Sequence, residues 1–110
     1  MTNIIVTTPD DADIAAALEE ADASVTVIDH PITGPKLEDA GIDDTSLFIL
    51  TDPAEATAIP LTRELNADIR IVVYGATGLP EFATHQADLV LSSDAIDQAV
   101  VVEELLDHDA

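Results

Sequence analysis

Hydroxyls, carboxylates and a glycine recur in this chain where short apolar runs end. Thr7-Thr8 follows Ile4-Ile5-Val6, Asp29 follows Val25-Thr26-Val27-Ile28, Thr51-Asp52 follows Leu47-Phe48-Ile49-Leu50, and Gly75 follows Ile71-Val72-Val73-Tyr74. If these runs are parallel strands, the residues after them share the carboxyl edge of one sheet, where open α/β sheets bind ligands. Thr7, Thr8, Asp29, Thr51, Asp52 and Gly75, with Thr77 beyond, then make a polar and acidic edge. That chemistry suits a cation or a hydroxyl-bearing ligand better than a phosphate. The same residues have a plainer use, with Asp10 and Asp52 as helix caps and Asp29 as a solvated strand end. His30, His85 and His108 lack ligand-like spacing and there is no cysteine, so no metal site and no disulfide is expected. Ser92-Ser93 reads as a helix cap and no nucleophile arrangement occurs, so the chain is not expected to be an enzyme.

The elements that place these residues follow from the periodicity. Residues 3–8, 24–29, 46–51, 69–74 and 88–91 read as strands, short and almost continuously apolar. Between them run helical patterns: 10–21 with an apolar stripe of Ile14, Ala17, Leu18 and Ala21, a short one over 35–40 closed by Gly41, and one from Asp52 to Asn66. Pro60 inside that third pattern predicts a kink or a late start near Ile59. A short helix over 80–86 and a last one from Ser92-Ser93-Asp94 to Asp107 complete the set. Strands without polar alternation are covered on both faces, which means a parallel sheet between two helical layers. The expected architecture is one three-layer α/β/α domain over residues 1–110, with a five-stranded parallel sheet.

Composition narrows the partners. The 110 residues carry 23 acidic against three basic side chains, Lys36, Arg63 and Arg70, for a net charge of −20. With 47% hydrophobic residues in periodic blocks, disorder is not expected. The acids are spread through every loop and helix, as on a carboxylate surface screened by molar salt; an acidic face for a basic partner or for cations is the alternative. The lone internal lysine, the abundant Ala and Asp and the few aromatics resemble proteins of extreme halophiles. No basic patch exists to release counterions from phosphates, so nucleic acid is not an expected partner. The apolar runs are far shorter than the ~20 residues a membrane span needs, and no secretory leader is evident, so a soluble, cytoplasmic protein is expected.

Leu37-Glu38-Asp39-Ala40-Gly41-Ile42, Leu47-Phe48-Ile49-Leu50-Thr51-Asp52, Arg63-Glu64-Leu65-Asn66-Ala67-Asp68-Ile69-Arg70-Ile71-Val72 and Gln86-Ala87-Asp88-Leu89-Val90-Leu91-Ser92 follow one another at a spacing that resembles the TrkA-N (RCK-N) domain of potassium-uptake regulators. The resemblance implies a Rossmann-like sheet in the order 3-2-1-4-5 and homodimers as a habit. That family places G-x-G-x-x-G after its first strand, where this chain has Thr7-Thr8-Pro9-Asp10-Asp11-Ala12; only the acid ending the second strand, Asp29, carries over. A dinucleotide in the usual pose is therefore not expected, because a pyrophosphate would meet carboxylates instead of open backbone N–H groups. The family's second, ligand-binding domain is not expected here.

A second resemblance is to receiver domains, which carry an acidic pair after strand one, a phosphate-accepting Asp ending strand three and a lysine after strand five. Asp10, Asp11 and Asp52 imitate the acids and Thr77 follows strand four, but Asp10 and Asp11 lie past a proline and Ser92-Ser93 takes the place of the lysine. The leading expectation is a non-catalytic regulatory or scaffold domain acting by homodimerisation or partner docking, without a cofactor. An adenine-nucleotide sensor (NAD, ATP or AMP) using Asp29 and the strand ends is the alternative, and a phosphoacceptor receiver comes third. The last helix has an apolar face wider than one sheet contact needs, so Val101 with Leu105, or Val102 with Leu106, is expected either to meet another subunit or to sit deep in the fold.

Overall fold

The computed structural model describes residues 3–8, 14–29, 32–51, 57–75, 87–92 and 98–108. Five strands, β1 (Asn3–Thr7), β2 (Ser24–Ile28), β3 (Leu47–Leu50), β4 (Arg70–Gly75) and β5 (Leu89–Ser92), form one parallel sheet. Its order is β2-β1-β3-β4-β5. The described helices are α1 (Ile14–Glu20), α2 (Gly34–Asp39), α3 (Ala58–Leu65) and α4 (Gln98–His108), with a 3-10 turn at Ile42–Asp44 after α2.

The α/β class, the five parallel strands and the helices on both faces match the sequence pattern, but the order 3-2-1-4-5 does not. An interior parallel strand is buried on both faces. All four residues of β3 are buried, whereas Ser24, Thr26 and Val27 of β2 are exposed and Ile28 alone is fully covered. The strand with two hydroxyls thus takes the edge, and the wholly apolar one pairs with β1.

Alternate residues of the central strands feed two separate cores. Ile5, Phe48, Leu50, Ile71 and Val73 pack with Leu37, Ile42 and Ile59, under α2 and α3. Ile4, Val6, Leu47, Ile49, Val72 and Tyr74 pack with Ile14, Leu18, Val101 and Leu105, under α1 and α4. The Cα radius of gyration is 12.4 Å.

Helix ends follow local chemistry. Thr33 caps α2, its hydroxyl accepting the Lys36 N–H at 3.3 Å, and Pro35 lies in the first turn where its missing N–H costs nothing. Gly41 follows the helix with φ +82°, a left-handed conformation that glycine adopts without strain. Asp22 takes the same region after α1, at φ 71°. α3 starts late, as Pro60 requires: the proline is its third residue, where no intrahelical N–H bond is due. The capping role expected of Asp52, the first residues (10–13) of the helix expected over 10–21, and the helix expected over 80–86 lie outside the described residues. In α1 the buried stripe is Ile14, Ala15 and Leu18, with Ala21 exposed in the turn beyond.

Candidate functional site

In a sheet of this order the connections reverse between β1 and β3, and the crevice at that switch point is the usual ligand site. Two of the expected site residues stand at the ends of the strands that flank it. Thr7 ends β1 with no exposed surface, and Thr51 directly follows β3. The Thr51 N–H donates to Thr7 Oγ1 at 3.0 Å, the Thr51 hydroxyl donates to the Thr7 carbonyl at 2.8 Å, and the two hydroxyl oxygens lie 3.0 Å apart. Because the Thr51 hydrogen is committed to the carbonyl, the Thr7 hydroxyl is the donor between the two side chains. Each donor is used once and the ring is closed.

The arrangement continues across the edge strand. The Thr8 hydroxyl donates to Asp29 Oδ1 at 3.1 Å and the Thr8 N–H to the Ile28 carbonyl at 3.1 Å. Lys36, one turn into α2, reaches back to donate its ammonium to the Asp29 carbonyl at 3.1 Å. The structure therefore brings Thr7, Thr8, Asp29 and Thr51 together, and Gly75, the last residue of β4, lies on the same edge paired in register with Ser92. Asp52, Asp10, Asp11 and Thr77 lie outside the described residues, as do His30 and His85. No group of three metal-ligating side chains forms among the described residues.

Lys36 was not expected here, although a lysine one turn after an N-cap beside a strand end is well placed to reach that strand's last carbonyl. A second missed contact lies at the opposite edge of the sheet. Asp88 Oδ2 accepts the Ile71 N–H at 2.8 Å and Arg63 Nη2 at 3.0 Å, while Arg63 Nη1 donates to the Ile69 carbonyl at 2.7 Å. Partial burial pushes the Asp88 carboxyl up, but the Ile71 N–H, the bond and charge of Arg63 and the charge of Arg70 outweigh it, and its pKa falls below the ordinary carboxylate value.

Of the last-helix residues expected either to meet another subunit or to sit deep in the fold, the described Val101, Val102 and Leu105 lie inside it. Val101 and Leu105 have no exposed surface and Val102 is buried, because α4 packs against α1 as well as on the sheet. The sheet and α1 together cover the described apolar residues Val101, Val102 and Leu105. The side chain of Leu106 lies outside the description, and Val100 is the large hydrophobic left exposed among the described residues of this helix.

A family model, described as a family of unknown function (DUF7126), matches residues 4–105. The chain belongs to the DUF7126 family. No curated protein matches its sequence. Among solved structures it is similar to an orphan response regulator of H. pylori, at 16% identity and a TM-score of 0.75, covering 96% of this chain and 94% of that one. A CheY-like response regulator receiver domain protein from Methanospirillum hungatei is 13% identical with a TM-score of 0.71, over 98% and 93% of the two chains. An atypical orphan response regulator, whose regulatory mechanism is described as phosphorylation-independent, is 16% identical with a TM-score of 0.68, over 94% and 91%.

At these identities the likeness shows the fold, which is that of receiver domains. It corrects the TrkA-N resemblance. The local spacing of apolar runs is common to both families, but TrkA-N order would put β2 inside the sheet, and the neighbours share the β1/β3 switch. The adenine-nucleotide reading falls with it, and Thr7, one of its proposed contacts, is enclosed and bonded within the chain. No helix among the described residues is long and apolar enough to cross a membrane.

Proposed function

We propose that this protein is a regulatory domain of the receiver type that acts by contact with a protein partner, without accepting a phosphoryl group. The observation that carries this reading is the content of the switch-point edge. Where a receiver carries its acidic pair, directly after β1, this chain has Thr7 tied to Thr51 and Thr8 tied to Asp29. Where a receiver carries its lysine, β5 ends in Ser92. Phosphoryl transfer to a carboxylate needs a divalent cation held by oxygen anions and a cation to offset the new charge of about −1.5 to −2. Neutral hydroxyls already bonded to each other supply neither, so the described residues directly after β1 and at the end of β5 offer no acidic pair and no lysine to support an acceptor.

The test is intact mass after incubation with acetyl phosphate and magnesium in molar potassium chloride, beside a competent receiver. No phosphoryl adduct is expected. An adduct that disappears in Asp52→Asn would overturn the reading.

A further inference from the structure

The β1/β3 crevice is the place where a sheet of this order opens to ligands, yet here both flanking strand ends are tied side to side by three hydrogen bonds in a closed ring. We propose that Thr7 and Thr51 form a built-in lock that holds this edge in one conformation, in the absence of any bound ion or phosphoryl group. The inference rests on the receiver-type reading of the same edge and adds what takes the place of its ligand. Thr7 is enclosed, so water cannot substitute for a lost partner, and the bonds reach backbone atoms of both strand ends. Through Thr8, Asp29 and Lys36 the same edge is fastened to β2 and α2. Ion-controlled edges can rearrange when the ion leaves; a ring in which each donor already has an acceptor has no such second state at comparable cost.

Amide hydrogen exchange read residue by residue tests this. In the unmodified protein the Thr51 amide, bonded to a side-chain oxygen and outside any strand ladder, should exchange as slowly as the amides of β1 and β3, and magnesium or beryllofluoride should leave it unmoved. Thr7→Val keeps the shape and removes the acceptor; it should speed Thr51 exchange by about ten- to a hundredfold with β4 and β5 amides unchanged, and Thr7→Ser should restore protection. A Thr51 amide that exchanges freely in the unmodified protein overturns the lock, whether or not the variants fold. So does Thr7→Val exchange that rises equally across the sheet. A phosphoryl adduct with Thr51 still protected would instead overturn the functional reading and leave the lock standing.

Discussion

Salt should decide whether this fold is stable. The radius of gyration of 12.4 Å corresponds to a sphere of radius about 16 Å, over which a net charge of −20 is spread. In water that charge repels itself by about 17 kcal/mol at 0.15 M salt, where the Debye length is about 8 Å, and by about 8 kcal/mol at 1 M, where it is about 3 Å. An unfolded chain of this length expands to a radius of gyration of about 34 Å and carries only about 3 and 1 kcal/mol under the same conditions. The repulsive penalty on folding thus falls from about 14 to about 7 kcal/mol, a gain comparable with the whole stability of an ordinary domain. Urea titrations in 0.15 and 1 M potassium chloride should show a midpoint that rises steeply with salt. Exchanging exposed Glu20, Glu38, Asp43 and Asp68 for their amides takes the charge from −20 to −16. Since repulsion scales with charge squared, that variant should recover about 5 kcal/mol at 0.15 M and about half of that at 1 M. Equal midpoints at the two salt concentrations, or a variant whose gain is the same in both, would refute the reasoning.

Three further outcomes follow from single contacts. Thr7→Val leaves the Thr51 N–H without its acceptor and should cost about 1–3 kcal/mol by denaturant titration, with Thr7→Val and Thr51→Val clearly non-additive in a double-mutant cycle. Asp22 sits at φ 71°, so Asp22→Gly should stabilise by about 1 kcal/mol. Asp88 has a lowered folded pKa, so its contribution is fully present above the unfolded carboxylate value near ~4 and is lost as pH falls through the lower folded value. The stability gap between the unmodified protein and Asp88→Ala, about 1 kcal/mol at neutral pH since the ion pair is partly exposed, should therefore close on acidification and not on alkalinisation.

Much of the fold is legible locally. Apolar runs bounded by turn residues gave each strand, Pro60 predicted the late start of α3, and Gly41 marked the end of α2. Strand order is not local, yet a signal was present: Ser24 and Thr26 make β2 the run best able to face water, while Leu47-Phe48-Ile49-Leu50 has no polar residue. Weighing that contrast places β2 at the edge without any family resemblance. The last helix left two readings open for a different reason. Its wide apolar face is real, but an amphipathic pattern cannot say whether a second contact is a subunit or, as here, α1. The edge residues Thr7, Thr8, Asp29 and Thr51 were found as a set, whereas the bonding of Thr7 to a residue 44 positions away was not, because nothing in either threonine's surroundings names its partner.

The hydroxyls at the switch point and the charge of the chain make one argument. Two carboxylates about 5 Å apart repel by about 3 kcal/mol at an effective dielectric constant near 20, so an acidic pair at this edge would need a resident cation to be stable. In a chain already at −20, where long-range repulsion favours expansion, each such pair at the carboxyl edge would add to a load that only salt relieves. Thr7 and Thr51 avoid that load, since they satisfy each other with dipoles and enclose the strand end without charge. Restoring the acids tests the coupling. Thr7→Asp with Thr8→Asp should lower the urea midpoint at 0.15 M potassium chloride, and magnesium should return it towards the unmodified value while leaving the unmodified protein unchanged. A magnesium response of equal size in both proteins would show that the ion acts on the surface at large, and that the switch-point edge is not where charge was exchanged for hydrogen bonds.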